Sequence, residues 1–173
     1  EAVVLFEDVE VPMDHVFMLG QTGWAAPLVD MFAGYHRQSY GGCKPGNGDV
    51  LIGAAALMAK LNGVEKVPHV RDKLVEMTHL NETIYATGIA ASYQAVPLKS
   101  GVYICDDMLA NVCKHHVTRF PYEISRLAQD LAGGLMVTQP SEQDLNHPEI
   151  GALMRKYLQG RADIPTEDRL RIL

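Results

Sequence analysis

The sequence predicts a mainly α fold, an antiparallel helical bundle preceded by a short extended segment. Beyond about residue 24, apolar residues recur at helical spacing in long runs, and clusters of Gly, Pro and Asn separate those runs. The connections between the long runs are short, which favours antiparallel neighbours over distant crossovers. With 173 residues, 47% of them hydrophobic, the chain is large enough to bury a real core.

Residues 2–18 are rich in β-branched side chains that alternate with acids after Phe6, and this pattern predicts extended backbone. Pro12 ends it or keeps it at an edge, because proline has no ladder donor. Trp24 to about Gln38 forms the first helix. The breakers Pro45, Gly46, Asn47 and Gly48 then predict a loop over 41–48, and Asp49 caps a second helix that runs to Leu61. Asn62-Gly63 closes that helix with residues that accept a left-handed conformation. A long helix covers about Pro68 to Ala95, with Val70, Leu74, Met77, Leu80 and Ile84 near helical spacing. Residues 96–104 read as a loop. Asp106 starts the next helix, Pro121 bends or splits it near Arg119-Phe120, and Gly133-Gly134 terminates it. A loop at Met136–Pro140 and short helices over roughly 148–158 and 165–173 complete the chain.

Composition narrows the function. The net charge of −6 comes without a basic stripe, so no nucleic-acid partner is expected. No apolar run reaches the roughly 18 residues of a membrane span. Three cysteines are an odd number for a disulfide framework and favour a reducing compartment. The chain opens at Glu1 inside a strand-like run, which suggests a piece of a longer polypeptide.

The densest chemistry lies in Tyr35-His36-Arg37-Gln38-Ser39-Tyr40-Gly41-Gly42-Cys43-Lys44, which offers an imidazole, a thiol, two phenols and an amine. Glycines beside a thiol let backbone approach a ligand, and the stretch reads as one wall of an active site. His36 and Cys43 are both ligands for borderline metals and iron–sulfur clusters, although two donors alone do not make a site and read more often as a helix-end histidine and a buried small thiol. Tyr40 falls one turn from His36 if the helix extends that far. Cys105 and Cys113 lie in a core-like pattern and are read as packing residues. His115 and His116, being adjacent, point in different directions on a helix and read as surface. His79 reads as a hydrogen-bonded bundle histidine. Exposed N–H groups at Gly133-Gly134 after Gln129 could take phosphate oxygens, or the pair could simply end a helix. Arg71 and Lys73 could meet a diphosphate or nothing in particular.

These motifs together support a resemblance. Phe6-Glu7-Asp8-Val9-Glu10-Val11-Pro12 followed by helices and a Gly-Gly element resembles the acyl-CoA dehydrogenase superfamily, where its central β-domain joins its C-terminal helical bundle. His36 to Lys44, Glu76-Met77-Thr78-His79-Leu80-Asn81-Glu82-Thr83 and Arg119-Phe120-Pro121-Tyr122-Glu123 resemble more narrowly the 4-hydroxybutyryl-CoA dehydratase (vinylacetyl-CoA Δ-isomerase) family. The resemblance implies that residues 1–20 are the end of a β-domain or a linker and that 21–173 are an incomplete helical domain. It implies a cytoplasmic homotetramer that acts on an acyl-CoA with FAD and a [4Fe–4S] cluster by one-electron chemistry. His36 and Cys43 match two cluster ligands, and the others lie outside the chain. His36, Tyr40, Lys44 and Glu1 match catalytic positions, and Gln129, Gly133 and Gly134 match contacts to the flavin of a neighbouring subunit. An isolated piece of this kind should be inactive. Two alternatives stand beside this reading: a flavin-dependent aromatic hydroxylase of the 4-hydroxyphenylacetate 3-monooxygenase type, and a helical oligomerisation module without chemistry.

Overall fold

The computed structural model describes residues 2–161 and 163–172. Residues 2–12 carry no regular secondary structure, and Val3, Leu5 and Phe6 stand exposed. The strand-like pattern there finds no strand partner among the described residues, so its apolar side chains face solvent. Short 3-10 turns at Met13–His15 and Thr22–Trp24 lead into the bundle.

Helix α1 (Ala25–Leu61) is one continuous helix and not two helices joined by a loop at 41–48. Its breakers are overridden by packing against α2 (Pro68–Tyr93). Gly41 meets Gly88 so closely that a Cβ on either residue would lie 2.6 Å from the other's Cα. The Asn81 amide fits against Gly48, where a Cβ would collide with it. Asn81 Nδ2 donates to the Pro45 carbonyl at 3.0 Å and to Asp49 Oδ1 at 2.8 Å. The residues that look like a bend are therefore the seam along which α2 docks, with Asn81 bracing the proline site. Asn62-Gly63 ends α1 as its sequence predicts. Gly63, at φ 70°, donates to Lys60 O, and Val64 N–H returns to Ala59 O.

Helix α2 starts on Pro68, where the missing N–H costs nothing. Residues 96–104 form a small antiparallel hairpin in place of a plain loop. Its strands β1 (Val96–Pro97) and β2 (Tyr103–Ile104) turn through Gly101 at φ 83°. The Asp106 side chain caps α3 (Asp107–Val117), accepting the Leu109 N–H at 2.7 Å. Pro121, in the first turn of α4 (Phe120–Leu131), accounts for the split between α3 and α4.

Gly133 and Gly134, at φ 69° and 78°, close α4. The expected loop after them contains one helical turn, α5 (Leu135–Thr138). Then follow α6 (Glu142–Leu145), whose Ser141 and Asp144 cap one another, α7 (Gly151–Tyr157) and α8 (Thr166–Leu170). The core fills the space between α1, α2 and α4 with Ala59, Met77, Ile124 and Leu127, each nearly excluded from solvent. Among the described residues no helix is long and apolar enough to cross a membrane.

Candidate active-site face

Helix geometry, and not a bend, brings the predicted residues together. At about 100° per residue, positions seven apart return to within about 20° of one another after two turns. His36 and Cys43 therefore share one face of α1, and both are exposed. Tyr40 lies between them. Its hydroxyl and His36 Nε2 share a hydrogen bond of 2.8 Å, and the two rings meet edge to face at 4.8 Å. Phe32 stacks on the other side of His36 with centroids 5.6 Å apart, so the imidazole is held from both directions.

Lys44 follows one turn after Tyr40, with its Nζ 5.6 Å from the centre of the Tyr40 ring. A second ammonium reaches the same ring from another helix: Lys114 Nζ of α3 lies 4.7 Å from the centroid. Lys114 was not foreseen from the sequence, because only the packing of α3 on α1 brings it to Tyr40. Its sole sequence signal is that it follows the buried Cys113. A cavity of about 480 Å³ opens beside this cluster between α1, α2, α3 and α4, with Tyr40, Lys44 and Lys114 in its wall.

The remaining candidates fall elsewhere. Cys113 is fully buried and Cys105 nearly so, as their core-like pattern predicts. Burial pushes the Cys113 thiol above its ordinary range, with the Cys43 sulfur adding to the effect. Burial, with Asp107 nearby, does the same for Cys105. His79 is exposed rather than embedded in the bundle. His115 is exposed, and His116 stacks on Phe120 at 4.5 Å. Lys73 forms an ion pair with Asp130 across α2 and α4, which holds the Asp130 carboxyl below the usual range. Arg71 is exposed on α2, and Gln129 is exposed near the end of α4.

The Gly133 N–H donates to Asp130 O and the Gly134 N–H to Gln129 O, a reciprocal helix end. Both donors considered for phosphate are thus engaged. What the pair offers instead is open space, since a Cβ at either glycine would meet nothing within 4 Å. Glu1 lies outside the described residues.

An antiparallel bundle with a short hairpin between its second and third helices, and a polar face on its first, defines the helical C-terminal domain of the acyl-CoA dehydrogenase-like fold. The chain belongs to the HpaB family, 4-hydroxyphenylacetate 3-hydroxylase C terminal, whose profile matches residues 25–173. It is 52% identical, over its whole length and 37% of the relative, to the 4-hydroxybutyryl-CoA dehydratase/vinylacetyl-CoA-Delta-isomerase of Clostridium aminobutyricum. The oxygenase component of 4-hydroxyphenylacetate 3-monooxygenase from Thermus thermophilus is 26% identical, over 94% of the chain and 34% of that protein.

Among solved structures, an oxygen-tolerant archaeal 4-hydroxybutyryl-CoA dehydratase from N. maritimus superposes with a TM-score of 0.89 at 64% identity, over 94% of this chain and 32% of that one. The oxygenase component of 4-hydroxyphenylacetate 3-monooxygenase in complex with FAD superposes at 0.82 with 25% identity, over 97% of this chain and 35% of that one. The chain thus spans about a third of the length of the relatives it matches.

Proposed function

We propose that this chain is the C-terminal helical part of a 4-hydroxybutyryl-CoA dehydratase that also isomerises vinylacetyl-CoA, acting with FAD and a [4Fe–4S] cluster in a cytoplasmic homotetramer. In this reading residues 1–20 join it to a preceding β-domain, and 21–173 form the helical domain. One observation carries the reading: His36, Tyr40 and Lys44 meet along α1, and Cys43 lies exposed two turns from His36 on the same face. The 52% identity to an enzyme of this activity gives that convergence its interpretation.

The residues fit the cluster as half a ligand set. An imidazole and a thiol share one face, and no group of three or more metal-binding side chains exists among the described residues. In this reading the remaining donors lie outside this chain. When bound, the two cofactors supply a Lewis-acidic iron and one-electron redox chemistry.

His36 and Cys43 hold the metal side of the site. Phe32 fixes the plane of the His36 ring. The Tyr40 hydroxyl stands at His36, where it can pass a proton to a departing oxygen. The Lys44 ammonium lies near the Tyr40 ring and stabilises negative charge that develops there. Gln129 offers an exposed amide, and Gly133 and Gly134 an exposed, Cβ-free surface, to the flavin of a neighbouring subunit. Arg71 remains open to a diphosphate, whereas Lys73 is already committed to Asp130. Glu1 is a further catalytic residue in this reading.

His36→Ala in the cofactor-loaded full-length protein tests the assignment. Iron and acid-labile sulfide should fall, and dehydration of 4-hydroxybutyryl-CoA should be lost. A variant that keeps full iron content and turnover overturns it. The shared fold with aromatic hydroxylases, at 25% identity, favours a second reading in which His36 touches an aromatic substrate. That reading requires the wild-type protein to contain neither iron nor sulfide.

A further inference from the structure

The wall of the cavity beside Tyr40 is electrostatically one-sided. Lys44 enters it from α1 and Lys114 from α3, and none of the side chains lining it is acidic. Their ammonium groups lie 5.6 and 4.7 Å from the centre of one phenol ring, hence within about 10 Å of each other, the Debye length at roughly 0.1 M salt. Neither ammonium forms an ion pair among the described residues.

Of two acids on neighbouring turns, Glu123 is paired with Arg126 through a forked pair of bonds, and Asp49, which accepts from the neutral Asn81 amide, does not line the cavity. The Thr118 and Ser125 hydroxyls in the lining donate to His115 O and Pro121 O. Two cations without an ion-pair partner among the described residues thus remain, half-buried against a ring whose face attracts them only weakly compared with an anion. Like charges in such a position repel, and a bound anion relieves the repulsion.

We propose that Lys114 is a binding residue of this site, and that the cavity between Lys114 and Lys44 takes an oxyanion of the ligand, a carboxylate or a phosphate. The location coincides with the proposed active-site face and rests on that reading only for its place. The recognition itself follows from charge. Lys114 then acts with Lys44 as a two-point clamp, and Tyr40 is the spacer that keeps the ammonium groups apart.

Lysine acetylation read by mass spectrometry on the cofactor-loaded full-length protein tests this, with inorganic phosphate and butyrate as separate probes. Exposed Lys99 serves as the internal reference. One of the two anions should slow acetylation of Lys44 and Lys114 together and leave Lys99 unchanged, and the effective probe tells phosphate from carboxylate. The slowing should be about tenfold at ten times the apparent Kd, from simple occupancy. Lys114→Met should weaken protection of Lys44 about tenfold, the loss of one charge-assisted contact, whereas Lys114→Arg should retain it. Protection of Lys44 alone, or of neither lysine by either probe, overturns the proposal. Iron analysis of the same samples keeps the two readings separate: a protein without iron whose two lysines are still protected ends the dehydratase assignment and leaves the clamp standing.

Discussion

The three thiols differ in accessibility, and their reactivity should follow. Cys43 is exposed on α1, whereas Cys113 and Cys105 are buried and their thiols are pushed toward the protonated form. Since thiolate is the nucleophile, an aromatic disulfide reagent should titrate one thiol rapidly in the native, metal-free chain and three after denaturation. Three rapid native thiols would contradict the packing described. His116 provides a second residue-level test. Burial, aided by the charge of His115, lowers its pKa below the ordinary 6.5. The unfolded chain therefore takes up this proton before the folded one. The contribution to stability is fully present above about pH 6.5 and is lost as pH falls through the lower folded value. His116→Phe keeps an aromatic ring against Phe120 but cannot titrate. Its Tm should drop less than the wild type's between pH 7.5 and 5.5, and parallel drops would show that His116 contributes nothing.

Helix α1 passes through the four breakers Pro45, Gly46, Asn47 and Gly48, and its glycines divide by what they face. Gly41 touches the Gly88 backbone, so Gly41→Ala forces two helices apart and should cost roughly 1–3 kcal/mol, as overpacking does. Gly42, one position on, has nothing within 4 Å of a Cβ, so Gly42→Ala should stabilise the helix by about 0.5–1 kcal/mol. Chemical denaturation of the two variants measures both signs, and equal effects would refute the seam. This contrast also explains what the sequence could reveal. The ends of helices are local chemistry, so Asp106, Asn62-Gly63, Pro121 and Gly133-Gly134 were legible. The continuity of α1 depends on Gly88 and Asn81 of another helix, and no local propensity contains that information. The His36–Tyr40 contact was legible for the opposite reason, since i,i+4 spacing suffices once the helix continues. Lys114 at Tyr40 and Lys73 at Asp130 are products of helix packing, and neither spacing nor composition could disclose them.

At the scale of the molecule, the face that carries the site is continuous with an uncovered apolar surface. Leu28, Val29 and Phe32 on the first turns of α1, and Trp24 just before it, are each about two-thirds exposed, and Leu5, Phe6 and Phe17 stand exposed before them. Scattered apolar residues are ordinary on a protein surface, but a run of large ones along a single helix is a contact surface. On an ideal helix Phe32 lies within about 40° of His36, so whatever covers the apolar turns also closes over the site. The expectation that exposed bundle faces bury against one another then has a definite location. The isolated chain should self-associate in a concentration-dependent way through these turns, whether or not cofactor is present. Leu28→Lys with Phe32→Lys should shift it toward monomer in sedimentation velocity and leave its Tm nearly unchanged, because neither side chain belongs to the core. A double variant that associates as strongly as the wild type would place the contact elsewhere and separate the apolar turns from closure of the site.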